Sequence, residues 1–513
     1  MACLQTKEEL KTRNIYSIDD MRKRFIGILC VTSGLMLSLA GCGGSEEVTP
    51  NPGPVIPDTV PGMTISGDAY DYRKTGQPER PYMLTYYDKM LMKAFMSEKK
   101  SGGGTTVKMN YEDVLNNIKV IDNLTRGIKK IIYLVGWQFD GHDSKYPAFN
   151  KFNEALKRDG DATAKDSYFW LKKEAEKYNT IISVHLNVNS VYEDSPLWIT
   201  YLRNDLLVRE ADGSLRKDHQ VCLTNEWNKG FLQKRVDEVT QLLDLPSSKT
   251  VHLDVFIPVE SPFHQISVDD EQSTMRKLLR YWRDKGVDVT VETWHNGNQR
   301  PDPMYGLIPA AWWNDMTVAE LCKISPKLAC GGQIFPGWDY YQSETMPPSA
   351  QLKAFLFGSN MHGEDIISKN TDYDKFKRKF CTTTLPWTFL NRHKVLSYDE
   401  EAGVVQYSDS LVVDGKRQTM KLHGHLLRDH NNLFIPATWI TDHREVIAYS
   451  GDGYDSLSWD LPDEWKDVTE VKAAVVGKHG LSEPTVLKVA DGKVTLSLSP
   501  GEMVSLQPSE TNK

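Results

Sequence analysis

The chain has 513 residues, 40% of them hydrophobic and 25% charged, the composition of an ordinary globular protein too long for one small core. Its formal net charge of -8 lacks the basic excess of a phosphate-binding surface, so nucleic acid is excluded as an expected partner. Two folded domains are expected.

In chain order the first element is a leader. "MRKRFIGILCVTSGLMLSLAGC" combines a basic start at Met21, an apolar core from Phe25 to Ala40 and small residues running into Cys42. Its "LAGC" ending resembles a bacterial lipoprotein signal, in which the cysteine is lipidated and becomes the first mature residue. Residues 1–42 therefore read as leader and signal, with Met21 as the expected true start because the twenty residues before it are polar. A cytoplasmic tail before a membrane anchor is the alternative. Residues 43–62, rich in Pro, Gly and acidic groups, read as a flexible tether, and "CGGSEE" resembles the acidic export tag of surface lipoproteins. The expected location is a membrane-anchored lipoprotein at the outer membrane, the cell surface or the periplasm.

Residues 63–399 read as the catalytic domain. "YEDVLNNIKVIDNLTRGIKK" spaces Val114, Ile118, Ile121 and Leu124 as one helical face and leads into the apolar run "IIYLVGW". "DSYFWLKKEAEKYN" leads into "TIISVHLNVN", "NKGFLQKRVDEVTQLLDL" into "TVHLDVF", and "STMRKLLRYWRDKG", ended by Gly286 at a C-cap position, into "VDVTVETW". Four helix-then-strand units imply a parallel sheet with right-handed crossovers. The strands end in polar or aromatic residues, which predicts a TIM (β/α)8-type barrel with its chemistry at the C-terminal strand tips. No G-x-G-x-x-G or P-loop supports a doubly wound nucleotide-binding sheet. Residues 60–104 resist placement beyond a flexible "KKSGGGTT" loop. Residues 400–513 change to short β-rich runs with turn signals such as "GDG" and "SPG" and read as an all-β C-terminal sandwich domain.

Chemistry centres on two carboxylates. Asp254 interrupts the apolar run "VHLDVF", and a buried carboxylate costs several kcal/mol unless paired or hydrogen-bonded. Glu292 ends the next strand 38 residues later, one β/α unit on, so the two can face each other across a pocket. Glycosidic bond hydrolysis needs such a pair, one group ionised and the other protonated. Trp137, Trp294, Trp312, Trp313 and Trp338 are candidate stacking faces for sugar rings, with at most one of the "WW" pair facing the site. Gln138, His142, Asp143, His185, Asn187 and Asn189 are candidate hydroxyl partners. His142, His185, His252, His264 and His295 show no H-E-x-x-H or H-x-H spacing and the cysteines lack C-x-x-C, so metal ligation is not expected. Cys322 and Cys330 read equally well as a disulfide or as free thiols. Glu364 and Asp365 of "GEDI" read as solvated loop charges.

"YLVGWQFDGHDSKYP", "HLNVNSVY", "VHLDVF" and "VTVETWHNG" resemble, in order and approximate spacing, the catalytic barrel of glycoside hydrolase family 101, the endo-α-N-acetylgalactosaminidases; the α-N-acetylgalactosaminidases of family 129 are similar. The resemblance covers roughly residues 105–400. It implies Asp254 as nucleophile, Glu292 as acid/base and Asp143 as a sugar-hydroxyl partner, with Gln138 and Asn187 at pocket-lining positions. It implies retaining hydrolysis of α-linked N-acetylgalactosamine on Ser or Thr, as in mucin-type O-glycans, releasing the core Gal-β1,3-GalNAc disaccharide in the endo form. No cofactor is required, and the residues do not indicate a structural calcium. The chain holds a barrel and one β domain, without the extra modules of large family members, so an exo-acting α-N-acetylgalactosaminidase or an α-galactosidase stays open. A non-catalytic glycan-binding lipoprotein is the alternative of another class.

Overall fold

The computed structural model describes residues 70, 78–293, 306–314, 316–323, 333–334, 347–361 and 367–509. The expected signal, Cys42 and the tether lie outside the described residues, as do Trp294, Trp338, Cys330, Glu364 and Asp365.

Seven parallel strands form the first sheet: β1 (Met90–Phe95), β2 (Lys130–Val135), β3 (Thr180–Asn187), β4 (Thr250–Asp254), β5 (Asp288–Thr293), β6 (Ala311–Asn314) and β7 (Gln333–Ile334), hydrogen-bonded in chain order. Helices α1 (Tyr111–Leu124), α2 (Ala164–Glu176), α3 (Phe231–Leu243) and α4 (Val268–Asp284) precede β2 to β5, the four units expected. Capping boxes start three of them, Asn110 with Asp113, Thr163 with Asp166 and Ser267 with Asp270. Such a box satisfies two backbone groups that the helix itself leaves open. Gly286 takes a φ of +78° just past α4, the left-handed stop that a Cβ disfavours.

Strands β1 to β5 are buried on both faces, and their period of two sorts residues between two environments. Met90, Met92 and Ala94 of β1, Ile132 and Leu134 of β2, Val251 and Leu253 of β4, and Val289 and Val291 of β5 join the core shared with the helices. The alternate positions meet one another on the other face. Leu91, Ile131, Tyr133 and Trp312 pack with Tyr86; the Tyr133 hydroxyl lies 2.9 Å from Thr250 Oγ1, and His252 Nδ1 lies 2.9 Å from Thr290 Oγ1. The Asp288 carboxylate closes the lower end, accepting from the backbone N–H of Met83 at 2.8 Å and the Tyr86 hydroxyl at 3.2 Å and pairing with Arg283.

This second face is concave. Lys93 on β1 and Glu292 on β5 are four strands apart in the hydrogen-bonded order, a span of about 19 Å in a flat sheet. Their side chains nevertheless approach to 3.7 Å, so the sheet curls until its first strand faces its fifth. The described strands form an open run of seven rather than the closed ring of eight expected from the sequence, and no pairing of β1 with β7 occurs among the described residues.

The antiparallel region begins at Val395–Asp399, slightly before the expected boundary, and builds one eleven-stranded sheet that includes Asn432–Pro436, Val446–Ser450, Glu470–Gly477 and Glu502–Pro508. A two-stranded ribbon, Tyr454–Asp460 paired with Lys493–Leu498, supplies the opposing layer. Strict alternation along Lys493–Leu498 buries Val494, Leu496 and Leu498, and Trp459 stacks on Phe434 with ring centres 5.5 Å apart. The sandwich expected from the sequence is thus strongly unequal, a large sheet faced by a small ribbon. One apolar cluster runs from Met90 to Met503 through both regions. Arg126, just after α1, pins them together with bonds of 2.7 and 3.0 Å to the buried Glu445 carboxylate.

Candidate active site

Asp254 is the last residue of β4 and is 8% exposed. His185, two residues from the end of β3, places Nε2 3.2 Å from Asp254 Oδ2. Val255 follows at φ +45°, a conformation that β-branched residues avoid and that costs about 1–3 kcal/mol. That turn ends the strand and aims the Val255 N–H at Glu292 Oε2, 3.3 Å away. Backbone strain sits where the chain must pass between two carboxylates.

The Glu292 side chain is 31% exposed and faces Asp254 of the neighbouring strand tip. Loss of hydration and then the Asp254 charge push the Glu292 carboxyl up to about 8, against the opposing pull of Lys93 and His185. At neutral pH Glu292 therefore carries the proton that the pair shares. Below the pair, burial first and then the Lys93 charge push His252 well below the usual histidine range, so its ring is neutral there.

The Glu292 proton has a consequence for stability. Its folded pKa of about 8 lies above its ordinary value of 4.5, so the folded state binds this proton more tightly than the unfolded chain. The stabilisation is complete below about pH 4.5 and is lost as pH rises through about 8. Glu292→Gln removes this dependence. Relative to the parent, the variant is expected to gain stability progressively from pH 4.5 to 8, by up to about 3 kcal/mol at pH 7. Urea midpoints at four pH values check it; parallel profiles for parent and variant would contradict the shared proton.

The loop after β2 carries three of the expected polar site residues. His142, 20% exposed in its side chain, accepts or donates at Nδ1 to the Tyr146 hydroxyl at 3.1 Å, and its ring centre lies 5.6 Å from that of His185. Asp143 is exposed and lies 3.6 Å from His142 Nε2. Gln138 is buried; its Nε2 donates to the Gly141 carbonyl at 3.1 Å, while its Oε1 meets no donor among the described residues. Asn187 opposes Asp254 in register, but its amide is committed to its own turn. Its Oδ1 accepts from the Asn189 and Ser190 N–H groups at 3.1 and 2.9 Å, and its Nδ2 donates to Ser190 Oγ at 3.0 Å. Asn189 ties this turn to the loop after β4 through the Ile257 carbonyl at 2.8 Å.

Two of the expected stacking platforms are buried. Trp137 shows no exposed surface and packs on Phe149 and Phe152, because the chain turns its ring under the loop into the apolar core. Trp312 is 2% exposed and lies on the concave face beneath Lys93. Trp294 falls outside the described residues. The sequence reading missed Lys93 and the strained Val255. Lys93 sits in a stretch left without a strand assignment; a buried lysine inside "MLMKAF" was the available signal.

Residues 103–303 match the family described as Glyco_hydro_101, endo-alpha-N-acetylgalactosaminidase, a stretch of under half the chain. Among curated proteins no sequence matches. Similar solved structures include ligand-free alpha-N-acetylgalactosaminidase NagBb from Bifidobacterium bifidum, at 11% identity and TM-score 0.48, with 66% of this chain and 59% of that one covered. Alpha-amylase from Geobacillus thermoleovorans, complexed with acarbose, is 10% identical with TM-score 0.40 over 83% of this chain and 100% of that one. GH36 alpha-galactosidase AgaA from Geobacillus stearothermophilus is 13% identical with TM-score 0.40 over 82% and 55%. The chain spans under two thirds of the length of NagBb. Residues 103–303, which hold the tips of β2 to β5 and both carboxylates, are thus the part of the chain similar to the glycoside hydrolase family 101 enzymes.

Proposed function

We propose that the protein is a retaining α-glycosidase that hydrolyses α-linked N-acetylgalactosamine, as in the GalNAc-Ser/Thr linkage of mucin-type O-glycans. The observation that carries this reading is the carboxylate pair at adjacent strand tips: Asp254 ends β4, and the N–H of the next residue, Val255, lies 3.3 Å from Glu292 Oε2. An inverting enzyme separates its carboxyl groups by about 6.5–9.5 Å to admit a water, whereas a retaining one keeps them at about 5–5.5 Å. The short reach from the Asp254–Val255 backbone to Glu292 supports the closer, retaining arrangement.

Glu292 gives its proton to the glycosidic oxygen while an Asp254 oxygen bonds to the anomeric carbon and the Ser/Thr hydroxyl leaves. Glu292, now ionised, takes a proton from water; the water oxygen bonds to the anomeric carbon and the ester bond to Asp254 breaks. His185 steadies the Asp254 carboxylate for its attack. Asp143 and His142, at the rim, suit sugar hydroxyls. The remaining strands are proposed to close the sheet as a (β/α)8 barrel, and Cys42 is proposed to anchor the chain to a membrane.

A glycan-binding lipoprotein without catalysis would have no use for a proton shared between two carboxylates. The test is a time course on p-nitrophenyl α-N-acetylgalactosaminide and on its β-1,3-galactosylated form. Release from the disaccharide alone is expected for endo action, and release from the monosaccharide alone would mark an exo-enzyme. Silence on both with folded protein would overturn the assignment.

A further inference from the structure

Lys93 is a lysine placed where the strand pattern calls for an apolar residue. It is 1% exposed in the middle of β1, and burying an ammonium is unfavourable unless other groups replace its water. Two replacements are in place. Its Nζ lies 4.5 Å above the centre of the Trp312 ring, within range of a desolvated cation–π contact, and 3.7 Å from Glu292 Oε1. Both partners come from strands across the concave face, so the lysine bridges the curled sheet to the Glu292 carboxylate. A methionine would fill the same space with no charge to bury.

We propose that Lys93 is a positioning residue for the reaction: its ammonium holds Glu292 by one oxygen and stabilises the carboxylate that Glu292 becomes after giving up its proton. The inference rests on the reading of Glu292 as acid/base. In the free protein the groups facing Glu292 among the described residues are Asp254 on β4, His185 on β3, Lys93 on β1 and the Val255 N–H. Asp254 favours the protonated form. Once Asp254 is esterified its charge disappears, and the fixed positive charge of Lys93 then dominates and favours the ionised form. One residue thus keeps its proton before the first step and releases it for the second, as a shared acid/base must.

The test compares the parent with Lys93→Met, Lys93→Gln and Lys93→Arg, using the pH dependence of aryl-glycoside hydrolysis and a carbon-13 NMR titration of the glutamate carboxyls, with Glu292→Gln identifying the signal. Removing a charge at this distance moves a neighbouring carboxyl by about 1–2 units. In Lys93→Met the Glu292 titration and the alkaline limb of kcat/KM are expected to move up together by that amount. With an activated leaving group, the acid limb of kcat is expected to rise as well. Lys93→Arg should restore the parent profile. A purely structural lysine would lower activity without moving either limb. If Lys93→Met does not fold, Lys93→Gln removes the charge while keeping a donor. Glu292 titrating at the parent value in a folded, uncharged variant would overturn the proposal. Movement of the titration with a stationary alkaline limb would instead show that Glu292 is not the acid, overturning the reading on which the proposal rests.

Discussion

Asp254→Asn is expected to lower hydrolysis of an aryl α-N-acetylgalactosaminide by about four orders of magnitude, since the change removes the group that bonds to the anomeric carbon. Asn is nearly isosteric, and Asp254 sits at a strand tip rather than in the apolar core, so the fold should survive. Glu292→Gln is expected to lose about 10²–10⁴-fold on substrates with poor leaving groups and much less when the leaving group needs no proton. Azide separates the two roles. With Asp254→Gly, azide can attack from the face the carboxylate occupied and give a product of inverted configuration. With Glu292→Ala, azide can only intercept the glycosyl ester on Asp254 and gives a retained product. Rescue of neither variant, with both folded, would defeat the assignment; so would turnover within about tenfold of the parent for Asp254→Asn.

Why this pair could be read from sequence, and other parts of the site could not, follows from what each inference requires. Strand periodicity alone places Thr250, His252 and Asp254 on one face and Val251 and Leu253 on the other, so a polar set inside a strand announces a lined cavity. The capping boxes and the Gly286 stop mark helix ends by local chemistry that any sequence carries openly. Tryptophan rings are different. Trp137 and Trp312 lie at the predicted strand ends, yet their direction depends on whether a neighbouring loop leaves a void to fill, and the apolar partners Phe149 and Phe152 took the Trp137 ring inward. Lys93 was invisible for the opposite reason. A lone lysine in an apolar run argues against a strand until its partners are known, and those partners, Glu292 and Trp312, are some 200 residues away in sequence. The "NVNS" turn was legible in principle, because an asparagine side chain folds back on the N–H groups two and three residues on, here those of Asn189 and Ser190.

The largest stability effect is expected behind β3 rather than at the carboxylates. Glu226 is fully buried; its carboxylate accepts from Arg235 Nε at 3.0 Å and Nη2 at 2.6 Å and from the Tyr201 hydroxyl. Arg235 Nη2 also donates to the Val188 carbonyl at 3.3 Å, directly after Asn187, so the cluster braces the strand tip that carries His185. Breaking such a pair from one side leaves a charge stranded away from water. Arg235→Met is therefore expected to cost about 3–5 kcal/mol, whereas the double variant Glu226→Gln/Arg235→Met should recover most of that, because the stranded charge is gone. Urea unfolding of the two single variants and the double variant forms the cycle that isolates the pair. The bracing has a second readout. A loosened β3 tip lets the His185 ring drift from Asp254, so folded Arg235→Met should lose kcat with KM little changed, and the double variant should regain stability without regaining all of the kcat. Recovery of both together would mean that the cluster only holds the fold; a loss of less than about 1 kcal/mol in Arg235→Met would mean that water reaches Glu226 and that the charge was never stranded.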